Sequence, residues 1–377
     1  MKDATDRYDV AVVGGGPAGA VAARTLGRRG RRVLLVEASR FDGWRLGETL
    51  FPSIREPLAA LGVADGFEDL PAVPSNGIRS CWGTPEPEAR SFVTSPYGTG
   101  WHVDRTAFDR FLVDAARRVG VTVALGTRAT RCEFAATGRT ATLALDPVED
   151  GGPQSGTTPE SVGVDGVIDA TGRTATVARW LSGERAAHDA LVAAAARYRA
   201  PSEQCGRYTL IEATGDGWWY SAPLPDERVV VAWFTDGDLV GDRHEPEQWR
   251  DELAETTRTA ARVADGSFER GPVVAGAVSH RLRRTLGADR WLAVGDAAMG
   301  VDPLSGSGVE RAIDTGVRGA LAMDDWLDGG REGVEQYESD VDAEFDAYRK
   351  RWRSYYALEG RWSDRPFWRR RHDAGDG

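Results

Sequence analysis

Lysine is almost missing from this 377-residue chain: Lys2 and Lys350 are the only two, and arginine supplies the rest of the 47 basic residues. Any chemistry that needs a lysine amine in the body of the fold is excluded between those positions. Cysteine is scarce too. Cys81, Cys132 and Cys205 are odd in number and far apart, which excludes a disulfide framework and a CxxC metal or redox pair, and no metal site is expected. They read as buried small hydrophobes. No stretch approaches the roughly 18 apolar residues of a membrane span. The polar start MKDATDR runs straight into YDVAVV without the basic head, apolar run and cleavage site of a secretory signal, so a cytoplasmic chain without membrane contact is expected. A net charge of -11 argues against the nonspecific phosphate binding that nucleic-acid partners require. A local basic patch stays open, and the C-terminal WRRRH is one candidate. What is present is a globular balance, 41% hydrophobic and 28% charged, in a chain long enough for two packed lobes.

The chain opens as strand, helix, strand: YDVAVV (8–13), a helical stretch over 17–29, and RVLLVE (32–37). A helix is predicted from Arg105 to Val119, with Phe108, Phe111, Leu112 and Ala115 on one face. Strand-like segments follow, interrupted by a Gly/Pro/Ser/Thr-rich insertion at 149–163. Three strand-like runs between 206 and 235 (YTLIEA, WWYSAP, RVVVAWF) suggest a sheet in a second lobe. The first lobe resumes at WLAVGDAA (291–298), which leads into a helix from about Gly308 to Leu327. The expected architecture is α/β: a Rossmann-type nucleotide-binding lobe, a second lobe on a mainly antiparallel sheet, and a helical C-terminal tail. Its expected divisions are a discontinuous cofactor domain (1–80, 100–180 and 275–330), a substrate domain (81–99 and 181–274) and a C-terminal segment (331–377).

Gly14, Gly16 and Gly19 form a GxGxxG directly after a strand, and Glu37 ends the next strand 18 residues beyond Gly19. Each part has a physical task. Gly14 permits the tight turn, Gly16 lets a pyrophosphate approach the backbone, Gly19 lets helix and strand pack closely, and the helix N-terminus offers unpaired N–H groups to the phosphates. Glu37 is placed to accept the ribose hydroxyls. Ala18 and Ala38 belong to the same binding set. This motif alone leaves NAD and FAD both open.

Three further segments narrow the choice. GWRLGETLFP, VIDATGR (167–173) and GDAAMGVDPLSGSG (295–308) stand in the order and spacing of flavoprotein monooxygenases and their halogenase relatives, which the chain resembles over nearly its full length. That resemblance implies FAD, with Asp296 on the ribityl chain and the glycines after Pro303, Gly306 and Gly308, bringing N–H groups towards the flavin. It also implies Arg45 and Arg105 along the cofactor; the alternative for both is a solvated surface arginine.

Halogenases of this superfamily use a lysine roughly 30 residues beyond the GE of the flavin segment, paired with a glutamate in a DPLESTG-like motif. Here SNGIRSCW (75–82) holds no lysine and Ser305 stands where the glutamate would be. Of WxWxIP, only Trp218, Tyr220, Ala222 and Pro223 mark the place, with two positions changed. Halogenation is disfavoured. Hydroxylases that take hydride directly from NADPH usually carry an Asp-Gly motif where this chain reads Asp169-Ala170-Thr171-Gly172-Arg173. The electron source is therefore left open between NAD(P)H bound at the flavin face and a separate flavin reductase. GWWYSAPLP and RWSDRPFWRRR further resemble the flavoproteins that mature tryptophylquinone cofactors in partner oxidases (LodB-like). This resemblance implies oxygenation, with molecular oxygen and through a flavin C4a-hydroperoxide, of an indole ring held in a peptide or protein substrate.

The cofactor carries the difficult step, so no catalytic residue is assigned outright. Glu48, His102 and His280 are the titratable candidates, each with a structural hydrogen bond as its alternative role. Strand alternation sends Trp218 and Tyr220 to one face and Trp219 to the other. That face, with Pro303, is the candidate substrate pocket or else sheet core. The tail, with Trp352, Trp362 and Trp368, lacks clear apolar periodicity and is left free to dock on the body or on a protein substrate. Two other enzyme readings stay open: a small-molecule monooxygenase of a biosynthetic pathway and a geranylgeranyl-reductase-type alkene saturase. A flavin-bound scaffold that presents a partner to another catalyst is the non-enzyme reading.

Overall fold

A computed structural model describes residues 7–148, 160–181, 183–201, 205–283 and 289–373. Most of the polar insertion expected at 149–163 lies outside these residues. The chain begins with strand β1 (Arg7–Val13), helix α1 (Pro17–Arg28) and strand β2 (Val33–Glu37). All five residues of β2 are buried, as a parallel strand covered on both faces requires. The first sheet runs in the order Thr122–Leu125, β2, β1, Ser161–Asp169, Ala141–Pro147, Thr127–Phe134, and Trp291–Ala293 also pairs with Ser161–Asp169. The pairs formed by β1, β2, Thr122–Leu125 and Trp291–Ala293 are parallel, and the Ala141–Pro147 pairs are antiparallel. Residues 291–293 thus return to the nucleotide-binding sheet late in the sequence. α1 packs against the helices Arg105–Arg117 and Gly308–Leu327. Gly316 makes the second contact close, since a Cβ there would stand 2.5 Å from the Ala18 carbonyl oxygen.

The second sheet has seven strands in the order Ser267–Gly276, Leu191–Arg199, Arg228–Asp236, Gly217–Leu224, Tyr208–Thr214, Gly77–Cys81, Glu88–Ser91. Only Tyr208–Thr214 against Gly77–Cys81 is parallel. The boundaries expected near 80 and 275 fall inside two of these strands. Alternation gives the sheet two aromatic faces. Trp219 and Trp233 join Trp249 in a core on the outer side, while Trp218 and Phe234 face the first lobe. Cys81, Cys132 and Cys205 are all free and buried.

The C-terminal segment is part of the body. Along the helix Glu332–Ala357, Val334, Tyr337, Val341, Phe345, Tyr348, Trp352 and Tyr356 are buried, each three or four residues from the last. The stripe that composition alone hides is built largely of tyrosine and tryptophan, whose polar atoms find partners: the Tyr337 hydroxyl donates to the Ala293 carbonyl at 2.7 Å, and Trp352 Nε1 to Asp302 Oδ2 at 3.0 Å. In the following helix, Pro366–Asp373, Trp368 Nε1 donates to the Thr214 carbonyl at 2.8 Å. The basic run does not form a free patch either. Arg371 pairs with Asp236 at 2.7 Å, and Arg370 with Asp236 and Asp238. Among the described residues no helix is long and apolar enough to cross a membrane.

Trp368 is fully buried, so Trp368→Ala should cost about 3–5 kcal/mol of stability. Urea denaturation of the FAD-loaded protein measures it. An unchanged midpoint would mean that the tail is a detachable arm.

Candidate functional site: a flavin cradle open to an alanine-lined pocket

One cavity of about 950 Å³ lies between the two sheets and is lined by both lobes. Its phosphate end is the turn from β1 into α1. Gly14 sits at φ +109°, and a Cβ there would meet the Ala170 carbonyl oxygen at 2.2 Å. A Cβ on Gly19 would stand 1.9 Å from the Gly14 carbonyl oxygen, whereas one on Gly16 would meet nothing within 4 Å. Two glycines thus serve packing, and the third leaves room for a ligand. Gly16 is the N-cap of α1 and offers no side-chain cap, so the first N–H groups of the helix remain available. Gly308, at the start of the helix Gly308–Leu327, is equally open, and that N-terminus also lacks a side-chain cap. Gly306 adopts φ +62° in the turn before it.

Glu37 ends β2 and accepts from the Gly15 N–H at 2.7 Å, from the Ser39 N–H and hydroxyl, and from Arg45 at 2.7 Å. Burial works against its charge, but these donors outweigh it and hold the carboxyl below its ordinary range. Arg45 reaches on to Asp109 at 2.9 Å, and Arg105 reaches Asp109 at 3.1 Å and the Leu46 carbonyl at 2.9 Å. Buried Asp109 therefore fixes two cavity-lining arginines that sequence left open between cofactor and solvent. Its signal was there, one acid on the apolar face of the helix Arg105–Arg117 at i+4 from Arg105.

Asp296 stands between Arg311 at 2.9 Å and Arg173 at 3.3 Å. Burial would raise its pKa, yet the two guanidiniums prevail and hold it below the usual carboxylate range. Arg173 also donates to the Val278 and Val301 carbonyls, fastening the ATGR turn to the DPLSGSG segment. Ala18, Ala38 and Pro303 line the same cavity.

The three titratable candidates separate. Glu48 lines the cavity. Its Oε2 accepts from the Gly47 N–H at 2.9 Å, its buried Oε1 meets no well-placed donor among the described residues, and the Trp44 indole N–H adds a weaker pull on the carboxyl. Burial pushes its pKa up to about 7 against the opposing pull of its backbone hydrogen bonds and Arg105. His102 lies behind the wall, bonded through Nε2 to the Thr209 hydroxyl at 3.0 Å, and burial pushes its pKa down to about 3. His280 is held by two backbone carbonyls, Asp296 at 2.9 Å and Val278 at 3.2 Å, and burial lowers its pKa. It steadies the loop that carries Asp296.

The far end of the cavity lies under the second sheet. Trp218 stacks on Phe234 with centroids 4.0 Å apart, and Trp218 Nε1 donates to the Tyr356 hydroxyl at 3.0 Å. The Tyr220 hydroxyl meets Thr49 Oγ1 at 2.8 Å, which meets Thr209 Oγ1 at 2.9 Å. Between these aromatics the lining is Ala193, Ala232, Ala275, Gly276 and Ala277. Small side chains there leave a flat apolar space next to the cradle. No lysine lines it.

The open glycine N–H groups, the uncapped helix starts and the unpartnered Glu48 oxygen fit a dinucleotide whose ring system reaches the second sheet. Fold and cradle together define a flavoprotein oxidoreductase. Residues 7–344 match the FAD binding domain family, and the chain belongs to it, as a FAD-dependent enzyme of the monooxygenase and halogenase superfamily. It is 32% identical over 372 residues to the putative FAD-dependent oxidoreductase LodB of Marinomonas mediterranea, covering 97% of each chain. Among solved structures it resembles the myxobacterial chondrochloren halogenase CndH (TM-score 0.84, 24% identity, 97% of this chain and 86% of that one). It also resembles the peptidyl tryptophan dihydroxylase QhpG (TM-score 0.75, 23% identity, 97% and 78%).

Two outcomes are expected. Gly14→Ala, strained at positive φ and against the Ala170 carbonyl, should yield protein purified with little or no flavin absorbance; a full flavin complement would refute the assigned turn. For Glu48 the folded pKa of about 7 lies above the unfolded value of 4.5. The folded state then holds the extra proton between these values, so the stability of FAD-free protein should fall as pH rises through that window, by about 3 kcal/mol in all. Glu48→Gln should flatten the slope in denaturant titrations run across that pH range.

Proposed function

We propose that the protein is a monooxygenase that hydroxylates the indole ring of a tryptophan residue in a peptide or protein. The observation that carries the reading is the apolar pocket of small side chains, walled by Trp218, Phe234 and Tyr220, which abuts the flavin cradle and among the described residues holds no lysine. Full-length likeness to LodB and the fold shared with a peptidyl tryptophan dihydroxylase support it.

In this reading Glu37, the glycine turn and Asp296 would hold the adenosine ribose, the phosphates and the ribityl chain of FAD, in that order. When bound and reduced, FAD supplies activation of molecular oxygen for transfer to an electron-rich ring, with NAD(P)H or a flavin reductase as the electron source. The chain's own groups do the rest. Trp218 and Phe234 present apolar faces that orient an indole, and the alanines set the space that it fills. Buried apolar walls exclude water, which protects reactive species from hydrolysis. Glu48, with a pKa of about 7 and a cavity-side carboxyl whose Oε1 meets no well-placed donor among the described residues, is the group able to give or take a proton at neutral pH. Tyr220 stays protonated, because burial and Glu48 both push its pKa up.

The test is the product mass after the reduced, FAD-loaded protein meets oxygen in the presence of bromide, free tryptophan and a tryptophan-containing peptide. Oxygen added to the peptide alone is the expected result. Oxygen on free tryptophan alone would favour a small-molecule enzyme, and bromine on either would sink the argument from the missing lysine.

A further inference from the structure

A second cleft, of about 750 Å³, lies between the strand His280–Leu282 and the helix Glu332–Ala357. Arg281, Arg283, Arg349, Lys350, Arg353 and His188 line it, with Asp346 the single acid among its lining residues. The periodicities explain the gathering. Positions 346, 349, 350 and 353 fall on one stripe of the helix, and 281 and 283 on one side of an extended segment.

Such a concentration is unusual in a chain of net charge -11. Several other buried or partly buried arginines face carboxylates: Arg45 and Arg105 share Asp109, Arg173 and Arg311 share Asp296, and Arg371 pairs with Asp236. Arg24 and Arg262 are held by carbonyl and hydroxyl oxygens instead. In the cleft, Arg281 pairs with Asp342, and Arg283 with Glu184. Arg349, Lys350 and Arg353 have no ion pair among the described residues. Arg349 rests over the Trp352 ring at 5.1 Å, but its Nη1 and the Nε of Arg353 are buried without a hydrogen-bond partner. Burial, with Arg353 next to it, lowers the pKa of Arg349, and burial, with Arg349 and Arg281, lowers that of His188; the nearby Asp189 pulls both the other way without prevailing. Like charges one turn apart repel, and a buried donor without an acceptor has lost its water for nothing. Both penalties are relieved by an anion with several oxygens.

We propose that this cleft binds a phosphate-bearing small molecule, held by Arg349, Lys350 and Arg353 from the helix and by Arg281 and Arg283 from the neighbouring strand segment. The guanidinium fork matches two phosphate oxygens at once, and a recess suits a compact polyanion better than a flat protein surface does. The proposal uses no residue of the flavin cavity and does not depend on the indole reading.

Isothermal titration of the FAD-loaded protein with inorganic pyrophosphate at low ionic strength, where surface charge is least screened, tests it. The expected result is saturable one-to-one binding that weakens by about tenfold or more in Arg349→Gln/Arg353→Gln and is unchanged in Arg131→Gln, an exposed arginine on a different strand. Retained flavin absorbance certifies the fold of each variant. Lys350→Gln, at an exposed position on the same stripe, should weaken binding about threefold and carries the test if the double variant loses its flavin. NADPH and NADH, titrated in parallel, separate the sources. Tighter NADPH binding that is sensitive to the same variants assigns the phosphate to the nicotinamide donor, and equal response to both assigns it to another phosphate-bearing ligand. No saturable heat with millimolar pyrophosphate, or equal affinity in the variants, overturns the proposal.

Discussion

A carboxylate sealed inside a protein must be met by donors on nearly every lone pair, and Asp302 is where that demand joins the molecule together. It opens the DPLSGSG segment and is 1% exposed. Its Oδ2 accepts from the Tyr356 hydroxyl at 2.8 Å and Trp352 Nε1 at 3.0 Å, and its Oδ1 from the Leu304 N–H at 2.9 Å. Its own N–H donates to the Tyr348 hydroxyl at 3.0 Å. Tyr356 in turn accepts from Trp218, in the sheet above the cavity. One buried acid thereby ties the DPLSGSG loop, the C-terminal helix and the wall of the cavity into a single network, and burial raises its pKa accordingly. Such networks lose disproportionately when one member is removed.

The same logic, with the sign of charge reversed, explains the abundance of arginine. Arginine stays charged when buried and donates in a planar fork, so one guanidinium can hold a carboxylate and a carbonyl together. Arg173 does this for Asp296 and the Val278 and Val301 carbonyls, and Arg105 for Asp109 and the Leu46 carbonyl. Lysine, a single flexible ammonium, could not replace them. The cavity is thus built with fixed positive charge at its cradle end, and among the described residues no lysine lines it.

The tail illustrates how composition misleads. Charged residues at 338, 340, 342 and 344 dilute the pattern in any window, yet Val341 between them and the aromatic Tyr337, Phe345, Tyr348, Trp352 and Tyr356 around them are buried. Tyrosine and tryptophan count as partly polar until a structure supplies Asp302, Ala293 and Thr214 as acceptors. Only then do they act as core.

The nucleotide-binding unit was legible from sequence alone, because its constraints are local. A Gly at positive φ, a helix start without a cap and an acid at the end of the next strand all lie within 30 residues, and each has a backbone reason. So was the return of 291–293 to the first sheet, since a short apolar run before Gly-Asp-Ala needs a buried place. Alternation likewise separated Trp218 from Trp219. Which of Glu48, His102 and His280 faces the cavity was not legible, nor was the role of Asp109, Asp302 or the cleft at Arg349. These depend on contacts between residues dozens to hundreds of positions apart, and a side chain's burial and partners are properties of the packed lobes rather than of any segment.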